Sequence, residues 1–206
     1  MLSTPPHGTK PFPIGAWGID PSATTVSVLV RNFSLSWVTI DIDIDVGVVQ
    51  VDDHGAIARM DVSLNAASIY SGNRRRDARL LGPNFLDVEN NPVITYSGVS
   101  VGTMIDGVVR VKNHDAALHL QATEATRNHD GTATFAARGV VDRRLLGLGK
   151  LPGTMIGHEL QIALVGRAHA ASSTGVGVSP PDPARRHTPR GDDRSSRRSA
   201  TPVPPG

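Results

Sequence analysis

The chain has 206 residues, 39% of them hydrophobic, with eight aromatics and no cysteine. That length supports one domain with a sizeable aliphatic core, and the composition excludes a disulfide framework or thiolate chemistry. The net charge of +2 belongs to the end of the chain, where residues 180–206 hold six arginines against three aspartates. The remainder is therefore close to neutral and offers no bulk-charge argument for nucleic-acid binding.

Residues 1–15 are rich in Pro and Gly and are predicted to be a disordered N-terminal segment. They contain no uninterrupted apolar stretch of the kind a secretory signal needs, and no run anywhere approaches eighteen apolar residues. The expectation is a cytoplasmic protein without stable membrane insertion, unless an upstream start supplies an export signal.

From Trp17 the chain reads as β-strand. Residues 25–31 alternate, with Val26, Val28 and Val30 on one face. Residues 38–48 alternate more strictly: Val38, Ile40, Ile42, Ile44, Val46 and Val48 share one face, and Thr39, Asp41, Asp43 and Asp45 the other. Residues 56–64 repeat the pattern with Ala58, Met60, Val62 and Leu64.

Residues 67–96 break the rhythm. Ser71-Gly72-Asn73 has turn chemistry, and residues 74–80 suit about two helical turns, with Asp77 spaced to pair with neighbouring arginines. Phe85, Leu86 and Val88 then form a short apolar patch that must pack across one end of a sheet or barrel. Pro92 returns the chain to an extended run, 93–101, in which Gly98 suggests a bulge.

Residues 104–112 place Ile105, Gly107, Val109 and Val111 together, and residues 113–115 read as a turn. Residues 116–123 align Ala116, Leu118, Leu120 and Ala122, and Asn128-His129-Asp130-Gly131 is a hairpin turn. A strand over 132–141, a Gly-rich loop over 142–154 and a last strand over 155–167 follow. That last strand puts Ile156, His158, Leu160, Ile162 and Leu164 on one face. After 168 the pattern stops, and residues 168–206 read as a disordered Pro/Ser/Arg-rich tail. Seven or eight antiparallel strands with one helical insertion imply an all-β, up-and-down barrel or closed sandwich spanning residues 16–167.

No catalytic set can be nominated. Aspartates 41, 43 and 45 are about 6.5–7 Å apart along a strand, too far to share one ion, and read as a solvated face. None of the eight histidines forms a metal-ligand spacing. His158 alone lies on an inward-looking face, where it reads as a hydrogen-bonded core residue. Gly147-Leu148-Gly149-Lys150 is better explained as a Gly-rich β loop than as a phosphate loop. Arg74, Arg75, Arg76 and Arg79 are the best polar candidates. Guanidinium forks at a barrel mouth suit an anionic head group. The competing reading ties Arg76 and Asp77 to neighbouring strands, with Arg143 or Glu89 as partners, and leaves Arg74 and Arg75 solvated.

Several pieces in order resemble the YceI-like family of polyisoprenoid-binding proteins. They are Trp17-x-Ile19-Asp20-Pro21, Val26-x-Val28-x-Val30-Arg31, Asn73, Arg76-Asp77-x-x-Leu80, Phe85-Leu86-Asp87-Val88-Glu89-x-x-Pro92 and Asp142-Arg143-Arg144-x-x-Gly147-Leu148-Gly149. Leu146 stands where the family's late motif has phenylalanine, and Ile40 where its second strand usually has glycine. Such departures bear on ligand size more than on fold.

The resemblance implies a lipocalin-like antiparallel barrel of about eight strands that binds, without catalysis or cofactor, an isoprenoid or similar long-chain amphiphilic lipid. The implied lipid-binding residues are Val26, Val28, Val30, Val38, Ile42, Met60, Val62, Leu64, Phe85, Val109, Leu118, Leu120, Leu160 and Ile162. Arg76 and Arg79 would serve the head group. The alternative is a barrel filled by its own side chains, acting as a dimeric stress-related or protein-interaction module. No nucleic-acid partner and no metal are expected, and a homodimer stays open.

Overall fold

Among the described residues, period-two alternation broken by turn residues lays down ten strands and one α-helix. A computed structural model describes residues 13–33, 35–54, 57–101, 104–148 and 155–171. Its elements are β1 (Gly15–Ile19), β2 (Thr25–Asn32), β3 (Ser36–Ile42), β4 (Ile44–Val51), β5 (Ile57–Asn65), α1 (Arg74–Leu81), β6 (Val93–Val101), β7 (Met104–Val111), β8 (His114–Arg127), β9 (Thr132–Asp142) and β10 (Ile156–Ala170). Of the predicted disordered segments 1–15 and 168–206, residues 1–12 and 172–206 lie outside the described residues. Gly15 already opens β1, and β10 continues to Ala170, so strand structure passes both predicted ends of the domain.

All pairings are antiparallel, in the order β1-β4-β5-β6-β7-β8-β9-β10-β2-β3, and β1 also pairs with β10. That extra pairing closes an eight-strand barrel. β1 and β2 follow one another along the same edge of β10, interrupted by a 3₁₀ turn at Pro21–Ala23 that the Asp20 side chain caps through the Ser22 amide. β3 and β4 likewise lie end to end, broken only at Asp43. The β2–β3 hairpin therefore extends one wall of the barrel.

On the side away from β2, β3 meets the rest of the fold sparingly. Asp41 and Tyr70 exchange two backbone hydrogen bonds of 2.9 and 3.0 Å, and the Asp43 amide donates to Ser68 Oγ at 2.8 Å. The insertion 66–92 carries α1 over this end. Asn73 caps the helix by accepting from the Arg75 and Arg76 amides. The chain after α1 is tied back by the Leu86 and Val88 amides donating to Leu80 and Leu81 carbonyls.

Four expectations on register change. A bulge between Ile44 and Val46 flips the alternation, so Gly47, Val49 and Val51 face inward and Val46 is exposed. A second irregularity at Gln50/Val51 leaves Ala58 outside. Residues 113–115 are not the turn: Lys112, with φ of 57°, turns with Asn113, and Asp115 already pairs with Arg110 in β8. Gly98 marks no bulge, since β6 keeps register on both sides.

The reason for Gly98 is Tyr96. Gly98 and Gly107 face each other across β6 and β7, and the Tyr96 ring lies over the pair. A Cβ on Gly107 would sit 2.5 Å from the ring and hydroxyl of Tyr96 and 2.7 Å from the Ser97 carbonyl. Gly107→Ala should destabilise the barrel by about 1–3 kcal/mol, read as a lower urea midpoint at unchanged m-value.

Candidate functional site

Inward side chains at the insertion end leave hollow space. The cavity is about 480 Å³ and is walled by β2, β3, β5–β10 and the insertion. Val28, Ile40, Leu160 and Ile162 point inward yet stay only half-buried, because they face this hollow and not another side chain. The lining ends near Met60, Tyr96 and Leu120. Beyond them Trp17, Ile19, Val49, Val51, Ile105, Ala133, Ala137 and Ala168 are buried and fill the opposite half. The barrel is thus half packed and half hollow.

All fourteen apolar residues named from the sequence lie on the cavity wall: Val26, Val28, Val30, Val38, Ile42, Met60, Val62, Leu64, Phe85, Val109, Leu118, Leu120, Leu160 and Ile162. Arg76 and Arg79 lie there as well. Sequence reasoning missed Tyr96, Ile69, Leu146, Leu148 and Arg143, which also line it, as does Arg75. For Tyr96 the signal was present, since Ile94 and Tyr96 share a face of a correctly placed strand. Leu146 sits in the late motif, at the position where the family has phenylalanine.

Arg75, Arg76 and Arg79 bring three guanidinium-bearing side chains to the mouth of a mostly apolar cavity. Arg76 is held by Ser71, which was not among its expected partners: Nε donates to Ser71 Oγ and Nη2 to the Ser71 carbonyl, both at 2.7 Å. Asp77 accepts from the amide and the hydroxyl of the same serine, so it does not pair with the arginines. Neither Arg143 nor Glu89 serves Arg76. Arg75 and Arg79 form no ion pair with a described carboxylate. Arg75, expected to be solvated, is exposed and reaches the cavity rim.

Arg143 is 4% exposed and belongs to the frame. Its guanidinium donates to the carbonyls of Gly157 (2.9 Å), Ile156 (3.0 Å) and Leu148, clamping the turn after β9 to the start of β10. Burial lowers its pKa from the ordinary arginine value. His158 departs from expectation. A register shift between Ile156 and Leu160 takes it off the cavity wall, and its buried Nδ1 has no hydrogen-bond partner.

Tyr96 donates from the buried end of the cavity to the carbonyls of Ile105 (3.0 Å) and Leu118 (3.3 Å). Burial, aided by the nearby charge of Asp106, pushes its phenol up to about 12. Among the described residues no cluster of histidines and carboxylates is arranged to hold a metal. Asp41 accepts from Ser27 Oγ, which engages one member of the acidic row.

The YceI-like domain model matches residues 17–168. The chain belongs to the YceI-like family. Among solved structures, the YceI-like barrel is similar to BcnA from Burkholderia cenocepacia, with a TM-score of 0.62 at 16% identity over 72% of this chain and 98% of that one. It is similar to a polyisoprenoid-binding domain from Saccharophagus degradans implicated in plant cell wall breakdown, with a TM-score of 0.59 at 12% identity over 76% and 99% of the two chains. A YceI protein from Campylobacter jejuni follows at 0.52 and 16% identity over 64% and 81%. At these identities the likeness is one of fold. No curated protein matches the chain in sequence. No helix among the described residues is long and apolar enough to cross a membrane.

Two measurements test this account of the wall. Arg143→Lys should destabilise the protein by about 2 kcal/mol or more, because one ammonium cannot fork to three carbonyls; thermal melting reads it. The raised pKa of Tyr96 stabilises the fold fully below pH 10 and is lost as pH rises through about 12. Tyr96→Phe should flatten that alkaline part of the stability profile.

Proposed function

We propose that this YceI-like barrel binds an isoprenoid or similar long-chain amphiphilic lipid, without catalysis, with the chain in the cavity and the head at Arg75, Arg76 and Arg79. One observation carries the reading: a hollow whose wall is mostly apolar, with the guanidinium groups of Arg75, Arg76 and Arg79 among its few polar lining residues. That polarity matches an amphiphile, and the family and the polyisoprenoid-binding neighbour support the same class.

The size of the hollow adds a limit. At about 480 Å³ the hollow falls within the roughly 300–1,000 Å³ of ordinary ligand pockets and suits a short chain. A longer chain leaves its remainder at the mouth. Burying about 300 Å² of chain contributes roughly 7 kcal/mol before ordering costs, sufficient for binding without chemistry. The filled-barrel alternative describes the half around Trp17 and Val49 but not the half around Val28 and Leu160. A cytoplasmic place of action belongs to the same proposal; the cysteine-free sequence is compatible with it, and cell fractionation tests it.

Native extraction of purified protein followed by lipid mass spectrometry tests the binding. An isoprenoid should co-purify and disappear in Val28→Trp, whose indole occupies the hollow while the melting temperature is kept. Arg79→Ala should weaken uptake of a prenyl phosphate about tenfold, the loss of one charge-assisted contact, and leave an uncharged prenyl alcohol little changed. Protein that carries no lipid and takes up no added prenyl lipid would return the problem to protein partners.

A further inference from the structure

The apolar side chains that reach solvent are unevenly distributed. Those on the barrel flanks are mostly single strand valines, such as Val99, Val140 and Val165, and such isolated residues need no explanation. At the β2–β3 tip they are large and contiguous: Phe33 is 54% exposed, Leu35 91% and Trp37 51%, and Met155 joins them through the Phe33 amide, which donates to its carbonyl at 2.7 Å. Phe33 and Met155 also line the cavity, so this apolar cap borders the entrance.

Basic groups flank the cap. Arg31 lies over the Trp37 ring, 5.6 Å from its centroid, on the outer side of the hairpin. Across the mouth, α1 presents exposed Arg74, Arg75 and Arg79. Of the acids in that insertion, Asp77 is bound to Ser71 and Asp87 to Asn90 and Asn91, leaving Glu89 as the main counter-charge. The opposite end of the barrel carries the reverse sign in its turns, with Asp52, Asp53 and Asp130.

We infer that the β2–β3 tip docks reversibly on the surface of an anionic lipid bilayer, with Leu35 and Trp37 in the headgroup region and the arginines against lipid phosphates. A tryptophan beside an arginine at the border of an apolar tip is chemistry suited to that interface. The patch is too small to insert stably and is sized for transient contact. The cargo-binding reading supplies the purpose, since docking sets the cavity entrance against the membrane; the docking itself stands on the tip and its charges.

The test uses the full chain and vesicles of phosphatidylcholine with one-quarter phosphatidylglycerol, containing no isoprenoid. Trp17 is buried, so a shift of tryptophan emission to shorter wavelength reports Trp37. Wild type should co-sediment with these vesicles, show the shift, and release as salt rises. Leu35→Glu should weaken binding about tenfold and the double change Arg31→Gln/Arg74→Gln at least about fivefold. Absence of binding, or wild-type binding by both variants as when the Arg-rich C-terminal segment alone supplies attraction, overturns the proposal. Leu35 lies off the cavity wall, so Leu35→Glu should still take up prenyl lipid added without vesicles. Uptake without vesicle binding overturns docking alone, and vesicle binding without uptake overturns cargo binding alone.

Discussion

An antiparallel sheet ends in two rows of unpaired backbone groups, and in this chain the five residues of β1 join the two margins and leave only the outer side of β3 unpaired with a strand. Gly15–Gly18 pair with β4 and Trp17–Ile19 with β10, so the same short segment joins the two margins of the sheet. Along β1 closure removes the edges at which a second chain could add, and the outer side of β3 is left to the insertion. Closure also creates an inside, and the content of that inside follows from residue size. Trp17, Ile19 and Met60 fill the half near the closure, while the single valines of β2 cannot fill the half that β2 and β3 enclose.

This division separates two tasks. The filled half supplies a core that does not depend on cargo. The hollow half keeps aliphatic surface partly uncovered, and Arg143, the Tyr96 hydroxyl and Asn73 hold its rim and floor through backbone contacts. Buried polar groups here are fasteners of the frame.

Much of this was legible in the sequence, because each inward residue of a half-buried strand is fixed by period two once the strand is found. That is why Val26, Met60, Leu118 and Leu160 could all be assigned to one interior. Legibility failed where one residue changes phase. The bulge after Ile44 moved Val46 outward, and the irregularity before Leu160 took His158 off the wall; neither carries a local composition mark. Ser71 was overlooked as the partner of Arg76 because a hydroxyl and a carbonyl do not stand out beside nearby carboxylates. Gly98 and Gly107 were visible, but the tyrosine they accommodate acts across strands, which no local pattern records.

The sparse seam between β3 and the insertion has a kinetic meaning. A wall strand with full pairing on both sides opens only with its neighbours, at a free energy near that of global unfolding. Here the β2–β3 hairpin is anchored through β2 to β10, while its free side is fastened by the Asp41–Tyr70 pair and the Ser68 hydroxyl. Parting that seam sacrifices three hydrogen bonds and leaves the closing pairs of β1 intact. The aperture beside β3 is therefore bounded by a short seam, held more weakly than the fully paired walls around it and separate from the β1 pairs that close the barrel.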